Sequence, residues 1–153
     1  MTDPSLTLLA RQTADRHSLD QSVVCAIIEQ ESDWNPAAVR YEPAFYNRYI
    51  APMNLLDSDE AHKRATSFGL MQIMGETARE HGYPGPLEHL LEPATGLEWG
   101  CIHFASLLKK AGGDVYAALL HYNGGSNTLY PGQVIARMDK YIIPPDLNMM
   151  EEA

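Results

Sequence analysis

Chemistry in this chain can be built around one carboxylate, Glu31. In "VVCAIIEQESDWNPAAV", residues 23–39, Val24, Ile27, Ile28 and Glu31 follow the spacing i, i+3, i+4, i+7 and share one helix face. At about 100° per residue Glu29 points away from that stripe, so Glu29 reads as solvated and Glu31 as drawn into apolar surroundings. Glu31 also falls near the end of its helix. Burial and the negative end of the helix dipole both disfavour its ionised form. A carboxylic acid held protonated near neutral pH is what a general acid requires, and protonating a glycosidic oxygen is one use of it. The structural alternative is a glutamate paired with Arg40 or Arg79. Tyr122 likewise continues an apolar stripe to a helix end, and "YNGG" follows at once. Two glycines after Asn123 permit a sharp turn, so Tyr122 and Asn123 are expected to edge a cleft. The competing reading makes Tyr122 a core residue and "NGG" a helix stop.

The elements that must position these residues read as helices. Asp3 can cap a first helix with Pro4 at its first position, and Leu6, Leu9, Ala10 and Thr13 line one side. Asp20 can cap the second, which carries Glu31 and stops before Pro36. Residues 40–66 look irregular, with aromatics in "RYEPAFYNRYI" and then the polar "DSDEAHKRATS", where Asp57 or Ser58 can cap a helix. "GLMQIMGETAREHG" predicts a helix with Met71, Met74 and Ala78 at helical spacing. Leu97, Cys101, Phe104 and Leu108 form the stripe of a longer one, closed by Lys109, Lys110 and Gly112–Gly113. Asp114 can cap the helix of Val115, Ala118, Leu119 and Tyr122. A final helix from about Pro131 carries Val134, Met138, Tyr141 and Ile142, and Pro144–Pro145 end it. No alternating strand pattern of useful length is visible. The expectation is an all-α domain over residues 1–153, with a tail from 144.

The bulk properties narrow the function. With 153 residues the chain is long enough for a core without staples. A net charge of −9 with scattered basic residues argues against a nucleic-acid partner. No apolar run is long enough to span a membrane. The N-terminus lacks a basic region followed by an apolar core, so synthesis in the cytoplasm without a standard signal peptide is expected. Cys25 and Cys101 sit among apolar neighbours and read as buried packing residues, with a disulfide or a reactive thiol as the alternative. No HExxH or clustered Cys/His spacing occurs, and "DSDE" at 57–60 lacks the glycine of a calcium loop, so neither metal nor cofactor is expected.

Three segments in order, "AIIEQESDWNP", "SFGLMQIMGETAREHG" and "ALLHYNGGS", resemble the soluble lytic transglycosylases, lysozyme-like enzymes that cleave peptidoglycan glycan strands. The resemblance runs from about residue 19 to 143. The family pattern falls on Glu31–Ser32, on Gly69 to Gln72, on Tyr122–Asn123 and, for a tyrosine near the last helix end, on Tyr141. Two departures are evident. Leu120 stands where an alanine is usual, and the gap between Glu31 and Gly69 is much longer than in common members. The inserted residues 40–66 are similar to those of phage-encoded relatives and are expected to rim the groove.

The resemblance implies a lysozyme-like helical domain with a substrate groove, acting on peptidoglycan as a monomer at the bacterial cell wall. It implies that Glu31 protonates the oxygen between N-acetylmuramic acid and N-acetylglucosamine. The substrate's acetamido group then stabilises the anomeric centre, and the deprotonated Glu31 activates the muramyl C6 hydroxyl to close a 1,6-anhydro ring. Ser67, Met71, Gln72, Tyr122, Asn123 and Tyr141 would contact substrate or support Glu31. Two alternatives remain open. Glu42, or Asp33, could position a water and make the enzyme a hydrolytic muramidase, although Glu42 could equally pair with Arg40 or Arg48. The domain could also be a non-catalytic wall-binding part of a virion or secretion apparatus.

Overall fold

The computed structural model describes residues 3–144; most of the expected tail, 145–153, lies outside them. Helix α1 (Pro4–Arg16) starts where Asp3 accepts the backbone N–H of Ser5, and α2 (Gln21–Ser32) where Asp20 does the same for Ser22. A short edge strand β1 (Val39–Tyr41) follows, then a single turn α3 (Pro43–Phe45) that runs into a π-helical turn over Tyr46–Ile50. Helix α4 (Ser58–Arg64), capped by Asp57, leads to β2 (Thr66–Phe68), β3 (Ile73–Met74) and α5 (Gly75–Glu80). Three long elements complete the chain: α6 (Pro93–Lys110), α7 (Val115–Tyr122) with Asp114 as its cap, and α8 (Tyr130–Met138). The fold is lysozyme-like and mostly helical, with a small antiparallel sheet in the order β1-β2-β3.

Helix α2 is the axis of the core. Residues Ser22 to Ile28 are all buried, because α1 and α8 pack on it while Leu97, Cys101 and Phe104 of α6 and Leu119 of α7 share the same cluster. Ile27 and Ile28 are wholly withdrawn from water, each stabilising the fold by about 2 kcal/mol. Cys25 and Cys101 are buried, as their apolar neighbours predict, and neither forms a disulfide. A second cluster, Phe68, Ile73, Ala78, Tyr83, Leu87 and Leu90, fixes the sheet against α5. Within residues 40–66 Ile50, Ala61 and Ala65 form a third. Glu60 bridges Arg64 and Arg79, and Arg64 reaches Glu76, so α4 is pinned to α5 by four side chains.

Three expectations are corrected. A sheet is present where none was legible, because strands of two and three residues are too short to show a period. The helix expected from Gly69 begins only at Gly75. Gly69 at φ 75° and Gln72 at φ 51° are left-handed and break a helix there, so Met71 and Met74 are not on it. Glu29 is not solvated: its side chain is 10 % exposed, paired with Lys140 at 2.9 Å and with Arg137, and it accepts the Tyr141 hydroxyl at 2.7 Å. Those partners arrive from α8 and the turn after it, which the spacing within α2 could not show.

Candidate active site

A groove of about 580 Å³ runs between the sheet and the C-terminal ends of α2 and α7. Glu31 reaches it from the last turn of α2. The chain then reverses through Asp33 and Trp34, both left-handed at φ 50° and 64°, and leads into β1. This reversal lets β1 come back along the groove, so Arg40, Glu42 and Phe45 line it opposite Glu31. Arg40 is spent on Glu42, 3.1 Å away, and neither Arg40 nor Arg79 forms an ion pair with Glu31 among the described residues.

Glu31 keeps partial contact with the groove while most of its surroundings are protein. Burial pushes its carboxyl up to about 7, against the opposing pull of the Tyr130 hydroxyl and the Arg40 guanidinium. Tyr130 opens α8 and is itself 2 % exposed. Its hydroxyl lies near enough to Glu31 to favour the ionised form. It stands outside close hydrogen-bond contact, and among the described residues it is the buried side-chain polar atom left without a partner. Tyr130 therefore stands beside the acid together with Tyr122, and Tyr130 is the one that the sequence did not single out. Its signal was weak: one tyrosine four residues before Val134, at the start of an amphipathic turn.

Ser32 holds the acid's helix to the next motif. Its hydroxyl lies 2.8 Å from the Leu70 carbonyl and 3.1 Å from that of Ile28, which share its hydrogen. The Gly69–Gln72 turn is tight for two reasons. A side chain at Gly69 would meet the Leu90 carbonyl oxygen at 2.7 Å, and both amide hydrogens of Gln72 are used, on the carbonyls of Ala38 at 2.9 Å and Gly69 at 3.0 Å. Gln72 therefore offers the groove its Oε1 as an acceptor. The Gln72 and Ser67 side chains both line the groove, Ser67 from β2 directly across from Arg40 on β1.

Met71 does not line it. The side chain is 1 % exposed and packs on α6, where its Sδ sits 3.9 Å from Cys101 Sγ and a Cβ added at Gly100 would approach it to 2.5 Å. Only its carbonyl serves the site, accepting the Tyr122 hydroxyl at 2.5 Å. Tyr122 thus spends its hydrogen on Met71, close enough to Glu31 for that carboxylate to oppose ionisation of the phenol. Its ring is braced by Phe104 and His103, at 6.0 and 5.5 Å between centroids. Asn123 caps α7 and lines the groove, followed by Gly124 and Gly125 at φ 94° and 91°. Tyr141 is elsewhere: its hydroxyl accepts from Trp34 Nε1 at 2.9 Å and donates to Glu29, on the side of α2 away from Glu31. Asp33 is exposed and does not line the groove.

Among the described residues no group of three or more His, Cys, Asp or Glu side chains is placed to hold a metal, and no helix is long and apolar enough to cross a membrane. The arrangement is a polar groove whose wall carries Glu31, a carboxyl raised by burial, in a helical lysozyme-like domain. The family described as transglycosylase SLT domain matches residues 9–134, and the chain belongs to that family, whose members are lytic transglycosylases acting on peptidoglycan. No solved structure matches the chain.

Proposed function

We propose that the protein is a peptidoglycan lytic transglycosylase in which Glu31 acts first as general acid and then as general base. A carboxyl pushed up to about 7 keeps its proton below that pH and can pass it to the oxygen of the bond between N-acetylmuramic acid and N-acetylglucosamine. As that bond breaks, the muramyl acetamido oxygen takes up the developing charge at the anomeric carbon. The ionised Glu31 then removes the C6 hydroxyl proton while that oxygen attacks the same carbon. The acetamido group is released and a 1,6-anhydro ring closes, leaving Glu31 protonated as it began. Atoms balance without water, metal or cofactor. Ser67, Gln72 and Asn123 hold the strand in this reading, which their positions on the groove wall support, while Tyr122 and Ser32 hold the turn and the helix that frame the acid.

The observation that carries the proposal is the acid itself: a carboxyl with no ion pair among the described residues, raised by burial, on the wall of a groove large enough for sugars. Glu42 lines the same groove, which keeps a muramidase reading in view, but its ion pair with Arg40 leaves it poorly disposed to activate a water. Digestion of purified peptidoglycan followed by mass spectrometry separates the two. Anhydromuramyl ends are expected; reducing-end muropeptides in their place would make the enzyme a hydrolase. Undiminished wall clearing by Glu31→Gln would remove Glu31 from the mechanism, and wall binding without clearing by the parent would indicate a binding module.

A further inference from the structure

His103 lines the groove from α6, yet the mechanism above gives it no role. Its Nδ1 lies 2.9 Å from Nε2 of His81, the residue that ends α5. Its ring also packs against Tyr122. Those two contacts fix the plane of the imidazole. Burial holds the His103 ring down to about 4 and lowers His81 as well, so both are neutral under working conditions. Two neutral imidazoles facing each other share one hydrogen. When His81 donates it, His103 carries its own hydrogen on Nε2; when His103 donates, its Nε2 is a bare acceptor.

Among the described residues that Nε2 has no partner, and it is not among the buried polar atoms lacking one, so it stays open to the solvent of the groove. We propose that the His81–His103 pair is a glycan-binding element, in which His103 Nε2 hydrogen-bonds a hydroxyl of a bound sugar. The pair selects a hydroxyl because that group both donates and accepts, so either tautomer finds a partner. An acetamido oxygen only accepts and would satisfy one tautomer alone. His81 is the positioning residue: it fixes the ring and supplies or takes the compensating hydrogen.

This inference rests on the glycan reading of the groove, and one set of proteins tests both. In Glu31→Gln, which cannot cleave, affinity is measured by calorimetry for stem-free glycan strands of alternating N-acetylglucosamine and N-acetylmuramic acid. Adding His103→Phe, which keeps the ring and removes both nitrogens, is expected to weaken binding roughly fivefold, the loss of one neutral hydrogen bond. Adding His103→Gln instead, with a polar atom near the Nε2 position, should stay within roughly twofold. In the otherwise unaltered Glu31→Gln protein the ring ¹⁵N shift of His103 Nε2 should move when strands are added. That readout stands even if the Phe variant fails to fold. Equal affinity of a folded Phe variant, or an unmoved ¹⁵N shift at saturation, overturns this inference alone. Absence of strand binding by Glu31→Gln itself overturns the glycan reading of the groove and this inference with it.

Discussion

Replacing Glu31 by Gln keeps the side-chain shape and removes only its ability to ionise. Burial lifts the carboxyl from an ordinary 4.5 to about 7. Each pKa unit is worth about 1.4 kcal/mol, so the folded state disfavours the ionised form by about 3 kcal/mol. Between those two values the folded chain binds more protons than the unfolded one. Stability therefore falls as pH rises through this window, and above it the full loss is carried. The Glu31→Gln variant escapes that loss. It should match the parent at about pH 4 and exceed it by about 3 kcal/mol at about pH 8, or roughly 6–12 °C in Tm for a domain of this size. Urea unfolding of both proteins at a series of pH values measures the difference directly. Groups such as Glu29 titrate alike in both proteins and cancel. A difference that stays constant from acid to alkaline pH would refute the reasoning, since it would mean that Glu31 titrates alike in folded and unfolded chains.

Two further outcomes follow from the surroundings of the acid and of its neighbour. Tyr130→Phe removes a hydroxyl that favours the ionised Glu31, so the alkaline limb of the kcat/KM profile should move to higher pH, while stability at about pH 5 holds because that hydroxyl has no partner to lose. A limb that stays put or moves down would take Tyr130 out of the account. Glu29 behaves with the opposite sign. Burial pushes its carboxyl up, but Tyr141, Lys140 and Arg137 together outweigh burial and bring it to about 2. A depressed carboxylate stabilises the fold above its unfolded value of 4.5, and that contribution is lost as pH falls towards 2. With Arg137 and Lys140 40 % and 56 % exposed, solvent screening reduces the contribution to about 1–2 kcal/mol. Glu29→Gln should therefore be less stable than the parent by that amount at neutral pH, with the gap closing in acid; a gap unchanged down to about pH 2 counts against the pairing.

Much of the helical frame was legible because its signals are local. Asp3, Asp20, Asp57 and Asp114 each place an oxygen on an unsatisfied N–H two or three residues ahead, and Pro4 sets its own φ, so helix starts stand where the residue types put them. The apolar stripe of α2 carried Glu31 inward for the same reason. The Gly69–Gln72 turn misled because its composition suits a helix. What prevents one is the Leu90 carbonyl beside Gly69 and the Ala38 carbonyl that takes the Gln72 amide, both from segments distant in the chain. Met71 was drawn to the groove by its motif, but the gap left at Gly100 draws its side chain into the core instead.

By itself the sequence determined which residues carry ionisable and hydrogen-bonding chemistry, where the aspartate-capped helices start and that the apolar stripe of α2 turns Glu31 inward, because those depend on spacing within one element. Only the tertiary structure decided that Tyr130, and not Tyr141, stands beside Glu31, that Glu29 is a paired structural charge, and that His81 and His103 meet at the groove. Each of these joins side chains from different elements across 22 to 112 residues of chain. Such meetings are set by how helices pack on α2, and a one-dimensional pattern holds no record of which neighbour a face will meet.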